Sequence, residues 1–90
     1  MTATLHAKAI AGQVEEFVRT VGHVAPDDPE FSQDVQLFDA GYLDSLGVVR
    51  LILFIESTFN LALDDRILLD LRFTTIAGIG ELVSQELGPP

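Results

Sequence analysis

The side chains best placed for chemistry lie in one string of this 90-residue chain: Leu37, Phe38, Asp39, Ala40, Gly41, Tyr42, Leu43, Asp44, Ser45 and Leu46. Ser45 stands where a loop-like stretch passes into the most apolar periodic segment. Backbone N–H groups at the start of a helix lack internal partners and carry the positive end of the helix dipole, so a phosphate joined there is stabilised. Two readings fit these residues. Asp44 or Ser45 can be an ordinary N-cap, or Ser45 can be an attachment point for a phosphodiester.

Other chemistries find less support. A serine hydrolase needs a general base and an oxyanion hole. The two histidines, His6 and His23, fall in or just after the first helical pattern, and no glycine-flanked elbow surrounds Ser45. Both read as surface histidines. The chain has no cysteine, which excludes a thiol nucleophile, a disulfide framework and a Cys-based metal site. Any thiol chemistry must come from outside. Asp64 and Asp65 lack the regularly spaced oxygen donors of a calcium loop and read as helix-capping residues. Asp27 and Asp28, set between Pro26 and Pro29, read as solvated turn charges. Neither catalytic residues nor a resident metal are expected.

The elements that must position Ser45 follow from apolar periodicity. Leu5, Ile10, Val14, Phe17, Val18 and Val21 predict a first helix over about 3–21, with Gly22 as its stop. The segment from Gly22 to Asp44 has little periodicity. It is either a plain connector or a functional loop. Phe31, Val35, Leu37 and Phe38 can anchor it, and Gly41 can supply a tight turn. A second helix spans about 45–60, and a short third, 64–71, is capped by the acid pair. A fourth covers about 75–87, capped by Thr74 or Thr75, with Ile76, Ile79, Leu82 and Val83 inward, and is ended by Gly88, Pro89 and Pro90. The predicted fold is an all-α four-helix bundle with a long first connection and a short third helix, in one domain.

Charge narrows the partners. Fourteen acidic against five basic side chains give a formal net charge of -9, which repels nucleic acid and anionic membrane surfaces and favours proteins rich in Lys and Arg. The residues from Met1 to Gly12 lack the apolar run of a signal peptide, and no segment is long enough to span a membrane, so a cytoplasmic monomer is expected.

The order Leu37-Phe38-Asp39-x-Gly41-x-x-Asp44-Ser45-Leu46, followed by an apolar helix ending Glu56-Ser57-Thr58-Phe59, resembles the signature of the acyl and peptidyl carrier protein family. Leu61-Ala62-Leu63-Asp64-Asp65 and Phe73-Thr74-Thr75-Ile76 are similar to that family's approach to helix three and start of helix four. The resemblance therefore covers essentially the whole chain. It implies that a phosphopantetheinyl transferase joins 4'-phosphopantetheine from coenzyme A to Ser45, with Asp44 beside it helping to hold the metal ion of the transferase complex. The thiol of the arm would then carry an acyl or aminoacyl thioester. Further implied partners are a loading enzyme, either an adenylating ligase or an acyltransferase, and a downstream synthase, condensing or tailoring enzyme. The expected setting is specialised metabolism.

At about 100° per residue, Val48, Leu51, Ile52, Ile55 and Phe59 form the core stripe of helix two. Leu46, Val49 and Leu53 fall among polar Arg50, Glu56, Ser57 and Asn60, and so are either covered by another helix or exposed as an apolar strip. The resemblance favours exposure, because related carriers dock partners there, which makes Leu46, Val49, Arg50, Leu53 and Glu56 candidate partner-binding residues. Arg50, where similar carriers often have an acid, and Gly47, an interior helix glycine, depart from the family pattern. A carrier-like helical adaptor that is never modified is the competing reading, and a small hydrolase using Ser45 a third.

Overall fold

The computed structural model describes residues 2–88, with side chains from His6 onward. Its helices are α1 (Thr2–Val21), α2 (Ser45–Phe59), α3 (Asp65–Leu68) and α4 (Ile76–Leu87), and a 3-10 turn at Leu71–Thr74 precedes α4. No strand occurs among the described residues. The expected all-α architecture is present. The Leu5 side chain and the terminal Pro89 and Pro90 lie outside the described residues.

One apolar core joins the helices. Val14 and Val18 of α1, Leu51 and Ile55 of α2, and Ile76 and Ile79 of α4 are fully buried. The α1–α4 pair is the most extensive helix contact. Small residues let these two backbones approach: a Cβ at Gly80 would sit 2.7 Å from the Ala7 carbonyl oxygen and 3.1 Å from the Ala11 Cβ. The predicted inward residues of α4, Ile76, Ile79, Leu82 and Val83, are all buried. Of the predicted α2 stripe, Leu51 and Ile55 reach the centre while Val48, Ile52 and Phe59 flank it, half-buried.

Helix three differs from expectation. Instead of running over 64–71, it ends at Leu68, and a second N-cap interrupts the chain. The Asp64 carboxylate accepts from the Ile67 N–H and starts α3, whereas the Asp70 carboxylate accepts from the Arg72 N–H and starts the 3-10 turn. Two Asx caps six residues apart divide the segment, because each competes for the amides a continuous helix would use. Thr75 caps α4, its hydroxyl oxygen accepting from the Gly78 N–H at 3.0 Å.

Left-handed residues end two helices and one turn. His23 (φ 52) closes α1, with the Val24 N–H on the Arg19 carbonyl and the His23 N–H on that of Thr20, the paired pattern of a Schellman cap. The helix ends directly before Gly22, the expected stop, while the left-handed residue is His23. Gly22 instead permits close packing, since a Cβ there would lie 2.5 Å from the Tyr42 carbonyl oxygen. Asn60 (φ 55) ends α2, and so falls just outside that helix. Gly41 (φ 82) ends the single turn Leu37–Ala40 in the same manner.

The connection between α1 and α2 is an ordered loop pinned to the bundle. Leu37 is fully buried and Phe31 nearly so. The Leu37 N–H donates to the Thr74 carbonyl at 2.9 Å, and the Gln33 carbonyl accepts from the Ala77 N–H at 2.9 Å, satisfying an amide of the first turn of α4. The Gln33 side-chain amide also donates to Glu15 at 2.9 Å, so one loop residue ties α1 to α4.

Candidate functional site

The site begins with the start of α2. Asp44 is extended (φ -94, ψ -173) and its Oδ1 accepts from the Gly47 N–H at 2.8 Å, while its carbonyl accepts from the Val48 N–H at 2.9 Å. Asp44 is the N-cap, which makes Ser45 the first residue of the helix. Because a cap satisfies only some of the first-turn amides, the N–H groups of Ser45 and Leu46 are left without protein acceptors among the described residues. The Ser45 side chain is exposed and forms no hydrogen bond among those residues. A nucleophilic hydroxyl thus stands free beside two unpaired donors at the positive end of a helix. These groups fit a phosphodiester, whose oxygens are acceptors only.

Gly47 explains how the turn closes. It is buried, and a Cβ there would lie 3.1 Å from Leu43 Cδ2 and 3.3 Å from Asp44 Oδ1. Glycine therefore lets the cap and the buried Leu43 approach the helix, which offsets its weak helix propensity.

The loop fixes what leads into Ser45. The Leu37 carbonyl accepts from both the Tyr42 and Leu43 N–H groups, at 2.9 and 3.2 Å. The Tyr42 hydroxyl donates to Asp28 Oδ2 at 2.9 Å, and its ring meets Phe31 edge-on with centroids 5.1 Å apart. Asp28 is accordingly a structural acceptor and not just a solvated turn charge. The Glu30 backbone N–H, followed by the Tyr42 hydroxyl, holds its carboxyl below the usual range. Burial, followed by the bond to Asp28, pushes the Tyr42 phenol up. Arg19 stacks over Phe31 at 4.6 Å, tying the same loop to α1. An open hollow of about 190 Å³ lies between the end of α1 and the start of α2, lined by His23, Gly41, Tyr42 and Asp44 among others.

The predicted strip on α2 is exposed, with Leu46 at 58%, Val49 at 51% and Leu53 at 59%, and no helix covers it. Arg50 is exposed beside it. Glu56 is only half-exposed, and its Oε2 accepts from the Leu63 N–H at 2.9 Å. The turn after α2 leaves that amide in need of an acceptor, so Glu56 braces the α2–α3 connection and its carboxylate is partly committed. Two further exposed leucines, Leu69 at 82% and Leu71 at 86%, flank Asp70. They were not singled out from the sequence, because a continuous third helix was expected there.

Neither histidine approaches Ser45 by hydrogen bond. His23 is exposed in the α1 cap. His6 is not the plain surface residue expected: it is half-buried in α1, with Nδ1 shielded and without a hydrogen-bond partner. Among the described residues no group of His, Asp and Glu side chains could hold a metal ion. Among the described residues no helix is long and apolar enough to cross a membrane.

Gln33 and Tyr42, which hold the loop in place, also escaped sequence reasoning. Their partners, Glu15 and Asp28, lie 18 and 14 residues away, and no local periodicity signals such pairs.

Residues 13–83 match the family described as Phosphopantetheine attachment site. D-alanyl carrier proteins of Streptococcus pyogenes serotype M1 and of its serotype M18 strain MGAS8232 are each 57% identical to the chain over 35 residues, covering 39% of this chain and 44% of the relative. The chain thus matches less than half the length of these relatives. No solved structure matches. With the family match running from within α1 to within α4 and enclosing the capped, solvent-facing start of α2, the chain belongs to the phosphopantetheine-attachment family, whose prosthetic group is covalently bound 4'-phosphopantetheine.

Proposed function

We propose that Ser45 Oγ is the attachment point and that the chain carries an acyl or aminoacyl thioester between separate enzymes of a biosynthetic pathway. The observation that carries this reading is the free, exposed Ser45 hydroxyl beside the unpaired first-turn amides of α2, inside the family match. When bound, the prosthetic group supplies the thiol that the cysteine-free chain lacks. The chain's own residues do three things. Asp44 caps α2, presents Ser45 to the transferase and contributes a carboxylate next to the transferase's metal ion. The Ser45 and Leu46 amides offset phosphodiester charge. Leu46, Val49 and Leu53, with Arg50 and the accessible edge of Glu56, form the surface on which a phosphopantetheinyl transferase, a loading enzyme and a downstream enzyme dock in turn.

The pathway assigned is one of specialised metabolism served by a loading ligase or acyltransferase. The similarity to D-alanyl carrier proteins supports an aminoacyl cargo, D-alanine among them, over part of the chain. Protein isolated from its own cells and treated with hydroxylamine should release one acyl hydroxamate per thioester-bearing chain, which identifies the cargo. A Ser45→Ala protein that releases none is expected; release from that variant would contradict the reading, as would a modified wild-type chain that never bears a thioester.

A further inference from the structure

Past Leu53 the exposed strip of α2 runs into a groove between α2 and α1. The groove has a volume of about 440 Å³, and Phe17 and Val21 of α1 line it together with Leu53 and Phe54 of α2. Phe17 and Phe54 are stacked, their centroids 4.3 Å apart and their planes at 16°, so part of the wall is a fixed aromatic pair. Arg50 and Ser57 complete the lining. The Ser57 hydroxyl is already committed to the Phe54 carbonyl at 3.3 Å.

Arg50 is the anomaly. Arg19, Arg66 and Arg72 face carboxylates at 2.9, 3.2 and 3.1 Å. Arg50, in a chain of net charge -9, has neither ion pair nor hydrogen bond among the described residues. An unpaired guanidinium beside an apolar groove complements a ligand with an apolar body and a carboxylate, which the planar fork can bind through two parallel hydrogen bonds. Resting on the assignment of Ser45 as the attachment point, we infer that this groove holds the chain's own thioester cargo when that cargo is an apolar acyl chain ending in a carboxylate. The acyl chain lies against Phe17, Leu53 and Phe54, and the carboxylate sits on Arg50.

Reach and concentration both support this occupant. Arg50 and Leu53 follow Ser45 by five and eight residues on one helix, about 7.5 and 12 Å along its axis at 1.5 Å per residue. That is within the span of an extended phosphopantetheine arm. A tethered group has an effective concentration on the order of millimolar, so a shallow groove that would hold a free ligand weakly is substantially filled by a tethered one. A cargo ending in an ammonium meets like charge at Arg50 and stays in solvent. A cargo ending in a methyl group gains the apolar wall but leaves Arg50 to water.

The test loads the full chain, with a broad-specificity transferase, from three coenzyme A thioesters matched in length: adipoyl, hexanoyl and 6-aminohexanoyl. Intact mass checks loading, and nuclear magnetic resonance follows the side chains of Phe17, Val21, Leu53 and Phe54 and the Arg50 Nε–H. The expected shifts relative to the unloaded holo chain are largest for adipoyl, smaller for hexanoyl and absent for 6-aminohexanoyl. Arg50→Gln should remove the difference between adipoyl and hexanoyl, and added salt should reduce it. Complete loading with equal shifts for all three cargoes, or with shifts confined to residues around Ser45, overturns the inference and leaves the carrier assignment standing. Failure of any mass addition at Ser45 overturns both, and is read by mass alone.

Discussion

Asp44 Oδ1 accepts the Gly47 N–H at 2.8 Å, and this one bond sets the first turn of α2, so that Ser45 occupies its first position with the hydroxyl facing solvent. The cap is therefore Asp44 and not Ser45, which leaves the Ser45 hydroxyl free for the attachment proposed above.

Removing the cap should be separable from removing its charge. Asp44→Ala should destabilise the protein by about 1 kcal/mol and increase amide exchange at Gly47, whose N–H the carboxylate accepts. Asp44→Asn, an equally good N-cap, should keep the wild-type Tm yet slow phosphopantetheine transfer through loss of the carboxylate. Thermal unfolding and a timed transfer assay read the two effects, and equal transfer rates for Asp44→Asn and wild type would confine Asp44 to capping.

Burial of Leu37 holds the loop that delivers Ser45. Leu37→Ala should cost about 2–5 kcal/mol, the range for emptying a fully buried leucine site. The Tyr42 and Leu43 amides, both donors to the Leu37 carbonyl, should lose hydrogen-exchange protection before those of Val14 or Ile79. Uniform loss across all four sites would mean that the loop is not an independently opening unit.

Stability should fall in acid. Bonds from the Gln33 amide and then Arg19 lower the Glu15 carboxyl, the Glu30 N–H and then Tyr42 lower Asp28, and Arg72 lowers Asp70. A carboxyl lowered by folding stabilises the fold above its unfolded value, here near 4.5 for Glu15 and 3.8 for Asp28 and Asp70, and loses that contribution as pH falls through the lowered folded value. The Tm should therefore hold between pH 7 and 5 and drop below about pH 4, with a shallower drop in Glu15→Gln. An identical acid profile in Glu15→Gln would remove Glu15 from this account.

The exposed leucines of α2 should matter to partners and little to folding. Leu46→Ser and Leu53→Ser should each change stability by no more than about 0.5 kcal/mol, as expected away from the core. Both should raise the KM of a loading enzyme or transferase for the carrier. Unchanged KM with both substitutions combined would place docking elsewhere.

How much of this was legible in the sequence depended on the range of the interactions. α1, α2 and α4 announced themselves, because their buried stripes repeat with the period of the helix and Asp44 and Thr75 are caps placed next to the α2 and α4 runs they start. The angular argument placed Leu46, Val49 and Leu53 among polar residues but left open whether another helix covers them; the resemblance favoured exposure, and no helix covers them. Helix three was misjudged because Asp70, which looked like a helix residue, caps a new turn through the Arg72 N–H. The apolar anchors Phe31 and Leu37 of the long loop were legible, but its polar ties were not. Gln33 bonds Glu15 and Ala77, and Tyr42 bonds Asp28, contacts that only the folded chain brings together.

The central claim is that Ser45 Oγ carries the phosphopantetheine arm. The most direct test incubates the apo chain with coenzyme A, a divalent cation and a broad-specificity phosphopantetheinyl transferase, then measures intact mass and maps the modified peptide. The account predicts a single addition located at Ser45 and none on Ser45→Ala. No addition to the wild-type chain, or an addition that persists in Ser45→Ala, would contradict it.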